Sequence, residues 1–163
     1  MGVILRGLLN IFGCYFMHKA KTHATLKSLL AFDFGTRSIG VAIGQLITKT
    51  AEPLPAINAK NGIPNIEDIA KLINIWHPDA LVVGKPTSES GGELEATKPA
   101  AKFVENLEKY FKLPVYMINE HLTTVAAKEK LFTKGGYRAL KKSAVDSVSA
   151  QLILESFMQN LGD

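Results

Sequence analysis

Three carboxylates in this chain stand where their surroundings make a charge expensive. The apolar run Leu29 to Phe32 ends on Asp33, and after the turn Phe34-Gly35-Thr36-Arg37 the apolar pattern resumes from Ser38 to Ala42. A carboxylate at the end of a buried strand is costly to desolvate, and a bound metal or phosphate chemistry is the usual compensation. The structural alternative is a turn aspartate, since Asp-x-Gly is common in turns. Glu120 follows the apolar run Val115 to Ile118, and Asp146 lies in the helical run Ser143 to Leu161. There Asp146, Ser149, Ala150 and Ile153 are spaced along one helix face, beside an apolar stripe of Val145, Val148, Leu152 and Phe157. An acid beside such a stripe calls for a polar site, unless it sits in the first turn, where the helix dipole favours it.

A first strand, a later strand end and a final helix could together bring Asp33, Glu120 and Asp146 around two divalent cations. Such ions take hard oxygen ligands and keep waters for a phosphate. Two of them about 4 Å apart stabilise both the attacking and the leaving oxygen of an in-line phosphoryl displacement, which is nuclease chemistry. Without cations the gathered carboxylates would repel one another.

On these residues the stretch from Ser28 to Phe157 resembles the bacterial YqgF/RuvX family of Holliday-junction-resolvase-like proteins and pre-16S ribosomal RNA nucleases. The resemblance is carried by Phe32-Asp33-Phe34-Gly35-Thr36 with Ser38-Ile39-Gly40-Val41-Ala42, Ala51-Glu52-Pro53-Leu54-Pro55, Val82-Val83-Gly84, Glu120 with Leu122-Thr123-Thr124, Gly135-Gly136-Tyr137-Arg138, and Val145-Asp146-Ser147. It implies a ribonuclease H-like fold and an endonuclease acting in 5′-end maturation of pre-16S ribosomal RNA. It also implies Mg2+ or Mn2+ as cofactor, with Asp33, Glu120 and Asp146 as catalytic residues and metal ligands. The chain departs from the family in reading Asn119-Glu120-His121 where Asp-Glu-Arg is common, and in carrying Lys85 where an apolar residue is usual. An imidazole does not replace a guanidinium as a forked phosphate donor. His121 reads as solvent-facing rather than as a ligand.

Length and composition agree with a nucleic-acid enzyme. The 163 residues make one α/β domain with a sizeable core, 47% of them hydrophobic, and the net charge of +4 suits a polyanionic partner. Cys14 is the one cysteine, which excludes an intramolecular disulfide and fits a reducing cytoplasm, and no apolar run is long enough to span a bilayer. Residues 1–27 read as an N-terminal extension ahead of a nuclease domain at 28–163. Met1 to Met17 is apolar and carries Arg6 as its one charge, like the opening of a signal peptide, with Ile11-Phe12-Gly13-Cys14 as a loose lipobox. Bulky Phe12 argues against that reading, and a start at Met17 is preferred.

The elements that must position the acids follow from pattern. Leu29 to Ile43 reads as a hairpin with Gly35 and Gly40 bounding its turn, and a third strand is expected near Leu46 to Thr50, closed by Pro53 and Pro55. A helix is expected over Ile66 to Trp76 with Ile66, Ile69, Ala70 and Ile73 inward, then a strand over Ala80 to Val83. A second helix over Thr97 to Phe111 turns Phe103, Leu107 and Phe111 inward. Val115 to Ile118 is the fifth strand, Thr123 to Phe132 a helix, and Ser143 to Leu161 the last helix. Three antiparallel strands followed by βα units describe a mixed five-stranded sheet flanked by helices.

Ahead of the last helix, Lys128, Lys130, Lys134, Arg138, Lys141 and Lys142 are six basic residues against the single acid Glu129. Lys134, Arg138, Lys141 and Lys142 read as a cationic rail for nucleic acid beside Asp146, and Tyr137 as a face on which an unpaired base could stack. A solvated helix face with a C-cap at Gly135 accounts for part of this charge. The partner is then structured RNA or branched DNA, bound by a monomer or homodimer without a membrane. Two functions fit: a metal-dependent endonuclease, or a non-catalytic nucleic-acid-binding factor in ribosome assembly or transcription.

Overall fold

In a computed structural model the described residues are 25–86, 97–120, 129–130, 133–135 and 141–161. Most of the N-terminal extension, the expected helix over Thr123 to Phe132 apart from residues 129 and 130, and Tyr137 and Arg138 lie outside them. Strands β1 (Ser28–Asp33), β2 (Ser38–Gln45), β3 (Thr50–Lys60) and β4 (Ile63–Pro64) precede helix α1 (Ile66–Trp76). Strand β5 (Ala80–Pro86), helix α2 (Thr97–Phe111), strand β6 (Val115–Glu120) and helix α3 (Lys142–Asn160) follow. The strands form one six-stranded sheet in the order β4-β3-β2-β1-β5-β6. The pairings from β4 through β1 are antiparallel, whereas β1, β5 and β6 run parallel.

Strand β1 is buried on both faces, and its alternation divides the core. Leu29 and Ala31 pack with Ala42, Ala51, Ala80, Val82, Tyr116 and Ile118 beneath Ala150, Ile153, Leu154, Phe157 and Met158 of α3. Leu30 and Phe32 pack on the opposite face with Ile39, Val41, Leu81 and Val83, beneath Ile69 of α1 and Ala100, Phe103 and Leu107 of α2. The edge-to-face contact of Phe32 with Phe103, centroids 5.7 Å apart, fastens α2 to the central strand. The result is three layers, α3 on one side of the sheet and α1 with α2 on the other.

Helices α1 and α2 run over the residues expected. Asn65 caps α1 by accepting the Glu67 N–H at 3.0 Å, Glu67 and Asp68 complement the dipole, and His77 stops the helix in the left-handed region at φ 46°.

The third strand corrects the sequence reading. Residues 46–49 form the turn, with Lys49 at φ 52° and its N–H donating to the Leu46 carbonyl at 3.3 Å. Pro53 and Pro55 lie inside β3 rather than closing it. Strand β4 pairs only with Ala59 and Lys60, so the prolines occupy an otherwise open edge where a missing donor costs little. The register slips between Ile39 and Val41 as β3 passes from Leu54 to Ile57, a bulge spanning the second proline. Six strands stand where five were expected, because Asn61 at φ 53° and Gly62 at φ 78° turn β3 back into the two-residue β4. Asn-Gly with positive φ at both positions is a strong hairpin signal, and it was legible in the sequence.

Strand β1 is fixed at its start by Asp79, whose Oδ2 accepts the N–H groups of Lys27 at 2.8 Å and Ser28 at 3.0 Å. Its own N–H donates to the Ser28 carbonyl at 2.8 Å. Asp79→Ala strands two backbone donors beside the central strand, so the expected loss is about 1–3 kcal/mol of stability. Equilibrium urea denaturation checks this, and an unchanged midpoint would show that water satisfies both donors.

Candidate metal and nucleic-acid site

Asp33 is the last residue of β1, with Gly40 of β2 and Gly84 of β5 as its ladder partners. Its place in the alternation puts it on the row of Leu29 and Ala31, the face that α3 covers. Asp33 is half-buried, between buried Phe32 and Phe34. The turn beyond it is pinned from three sides. Phe34 packs on Phe103 at 5.6 Å, the Thr36 carbonyl accepts the Gly62 N–H at 2.8 Å, and the Arg37 carbonyl accepts the Ala59 N–H at 2.9 Å. The exposed Arg37 is a cation in the turn that follows Asp33, which the sequence reading passed over.

Both glycine neighbours of Asp33 are contact points for α3. A Cβ on Gly40 would overlap the Asp146 carbonyl oxygen, and one on Gly84 would overlap the Cδ1 of Ile153. Gly40 therefore does not bound a turn, as its sequence position suggested; it is the point where helix backbone rests on strand backbone. Antiparallel partners lie about 5 Å apart at Cα, so the backbones of Asp33 and Asp146 both border this one glycine. The following residue locks the crossing, because Ser147 Oγ accepts the Val41 N–H at 3.4 Å, beside the β2–β3 bulge. On the far side of the crossing, Gln151 Nε2 donates to the Ala51 carbonyl at 2.6 Å.

Helix α3 begins at Lys142, so Asp146 lies beyond the first turn and the dipole reading does not account for it. The side chain of Asp146 is 16% exposed, and Lys142 Nζ lies 3.2 Å from its Oδ2 and 3.5 Å from its Oδ1. One turn on, Ser149 is fully buried and its Oγ has no hydrogen-bond partner among the described residues. A carboxylate already gathering a cation, a second carboxylate across a glycine and an orphaned hydroxyl nearby are oxygen donors suited to a hard divalent ion.

Glu120 closes β6 opposite Pro86 of β5. Its backbone position continues the row of Tyr116 and Ile118 under α3 and shares the carboxyl-terminal edge of the parallel strands with Asp33. The side chains of Glu120 and Asn119 and the whole of His121 lie outside the described residues. Among the described residues no three acidic, histidine or cysteine side chains form a metal-ligating group. Lys134, Lys141 and Lys142 are exposed, the last two at the N-terminus of α3. Sequence reasoning missed the packing role of Gly40, Gly84 and Ser147. The available signal was Gly40-x-Ala42-x-Gly44, small residues at every second position of one strand.

Because the atoms that a methyl at position 40 would meet are helix backbone rather than a flexible side-chain end, Gly40→Ala should destabilise the fold by about 3 kcal/mol, at the upper end of overpacking costs. Ser147→Ala should cost about 1–2 kcal/mol by orphaning the Val41 donor. Thermal and urea unfolding of both variants check the pair, and a wild-type midpoint for the alanine at position 40 would show that the helix seat gives way easily.

Comparison with known proteins fits this geometry. The RuvX family model, described as Holliday junction resolvase, matches residues 27–160. A "Putative pre-16S rRNA nuclease" of Glaesserella parasuis is 53% identical over 133 residues, covering 82% of this chain and 96% of that protein. A protein of the same name from Aeromonas hydrophila is 54% identical over 133 residues, covering 82% and 95%. Among solved structures, Thermus thermophilus RuvC bound to a Holliday junction substrate aligns with a TM-score of 0.51 at 16% identity, over 83% of this chain and 96% of that one. Fowlpox virus resolvase with Holliday junction DNA aligns with a TM-score of 0.53 at 13% identity, over 83% and 99%. At those identities the structural likeness establishes the fold, which is the ribonuclease H-like fold of the resolvases. With a family match that runs over the whole sheet and the final helix, and relatives more than half identical over most of its length, the chain belongs to the RuvX family.

Proposed function

We propose that this chain is an endonuclease that hydrolyses phosphodiester bonds in the 5′-end maturation of pre-16S ribosomal RNA, with Asp33, Glu120 and Asp146 as its metal ligands and catalytic residues. The observation that supports the reading is that the backbone of Asp146, in the second turn of α3, rests on Gly40, the ladder partner of Asp33. The names of the relatives at 53% and 54% identity supply the substrate class. A pair of Mg2+ or Mn2+ ions, when bound, supplies the activated water and the stabilised leaving oxygen of an in-line displacement. The chain contributes fixed ligands. Asp33 stands at the end of a strand whose four central residues are buried, and Asp146 belongs to a helix whose backbone has no room to shift toward Gly40.

Lys134, Tyr137, Arg138, Lys141 and Lys142 make up the nucleic-acid contact in this reading, with residues 28–163 as the nuclease domain and 1–27 as an extension. Lysines at a helix N-terminus face the phosphate backbone as point charges, and sequence is not read by such contacts. The cytoplasm is the compartment where the substrate is made. Among the described residues no helix is long and apolar enough to cross a membrane. One site is enough for a single cut in RNA, so a monomer suffices; paired cuts in a four-way DNA junction would need a homodimer.

The test is incubation with precursor 16S ribosomal RNA and with a four-way DNA junction, each with magnesium, manganese or chelator. Metal-dependent cutting of the RNA is expected. Asp33→Asn, Glu120→Gln and Asp146→Asn should each slow it at least about 100-fold; without metal the Glu120 variant should melt at or above the wild-type temperature, since removing one of several clustered charges relieves repulsion, whereas the Asp146 variant also gives up its ion pair with Lys142. Lys141→Ala should weaken binding to RNA of any sequence and lower the salt slope by about one unit. Cutting of the junction alone assigns the resolvase activity instead, binding without cutting assigns a non-catalytic assembly factor, and normal cutting by the acid variants refutes the site.

A further inference from the structure

The N-terminus of α3 is built against its own helix. Lys141 occupies the cap position with no side-chain hydrogen bond, Lys142 is the first helical residue, and the first turn holds no acid. Helices favour the opposite arrangement, a short polar cap followed by acids that complement the positive end of the dipole. The order of the pair is also the weaker one, since lysine four residues ahead of an acid stabilises a helix less than the reverse. Local helix stability therefore does not explain Lys142. Its position over Asp146 does, because the ammonium reaches both carboxylate oxygens, at 3.2 and 3.5 Å, and these are the atoms a metal ion would need.

We infer that Lys142 is a tethered counter-ion of Asp146 that a divalent metal displaces, so that metal binding releases its ammonium to the phosphate backbone of the nucleic acid. The inference rests on the metal reading of Asp146 and assigns Lys142 as a positioning residue. The two partners differ in freedom. Asp146 is fixed through its own carbonyl on Gly40 and through Ser147 on Val41, and its side chain is 16% exposed, whereas that of Lys142 is 67% exposed on a flexible stem. When a doubly charged ion competes for the same oxygens, the carboxylate stays and the lysine moves. The released ammonium then lies beside Lys141 at the positive end of α3, a place that favours phosphate. Metal and nucleic acid would thus bind in support of one another.

Isothermal titration with Mn2+ of the wild type, Lys142→Gln, Lys142→Arg and Asp146→Asn tests this. The glutamine variant should bind Mn2+ about two- to fivefold more tightly, the gain expected from removing an exposed ion pair at a ligand, and the arginine variant should match the wild type. Binding of a single-stranded RNA oligonucleotide should steepen in salt dependence by about one unit when Ca2+ is added to the wild type, and should not steepen in the glutamine variant. Equal Mn2+ affinity in the wild type and Lys142→Gln, with binding lost in Asp146→Asn, overturns the counter-ion role and leaves the metal site standing. Undiminished Mn2+ binding by Asp146→Asn overturns the metal reading beneath it.

Discussion

The contact between the Asp146 carbonyl and the Cα of Gly40 is a meeting of two backbones with no side chain between them. Helices usually lie on sheets through their side chains, and the spacing is set by how those interdigitate. Here glycine removes the spacer at positions 40 and 84, and small or apolar residues at positions 31, 42, 51 and 80 keep the layer thin. The helix can then cross low enough for the Asp146 backbone to rest on the strand that pairs with Asp33. Ser147 to Val41 and Gln151 to Ala51 hold the crossing with side-chain hydrogen bonds to strand backbone.

Burial on the two sides of the sheet has different consequences. On the α1 and α2 side, Phe32, Phe34, Phe103 and Leu107 fill the space with large side chains, and the edge-to-face and tilted ring contacts there anchor the end of β1 and the turn beyond Asp33. That side supplies rigidity. On the α3 side, the residues beside Asp33 are small, and the nearest helix positions carry Ser147, Ser149 and Asp146. That side supplies room and oxygen donors. Strand β1, buried from Leu29 to Phe32, transmits the firmness of one layer to the edge of the other.

Charge follows the same division. The acidic residues stand at the carboxyl-terminal ends of parallel strands and in the second turn of α3, while exposed cations stand in the turn after β1, at Arg37, and at the start of α3, at Lys141 and Lys142. Phosphate carries negative charge toward negative ligands, so a nuclease of this kind needs compensating cations close to its acids without permanent neutralisation of them. A lysine on a long stem at the unfavourable end of a helix satisfies both needs, at a small cost in helix stability.

Much of this was legible in the sequence. The boundaries of α1 and α2 followed from helical periodicity. The strands at Leu29, Ala80 and Val115 followed from short apolar runs, and Asp33 stood out because a charge ended one of them. Those inferences succeed where a local cost, desolvation or a missing donor, is decided by immediate neighbours in the chain. The third strand was misplaced because Pro53 and Pro55 read locally as strand breakers, and only the pairing shows that they lie on an open edge. Gly40 read as a turn residue for the same reason. Its function depends on a carbonyl more than a hundred residues away in the chain. Residue type and spacing determined which acids could act, whereas the approach of helix to strand, a long-range packing distance set by the absence of a single Cβ, decided that the backbone of Asp146 rests on Gly40, the ladder partner of Asp33.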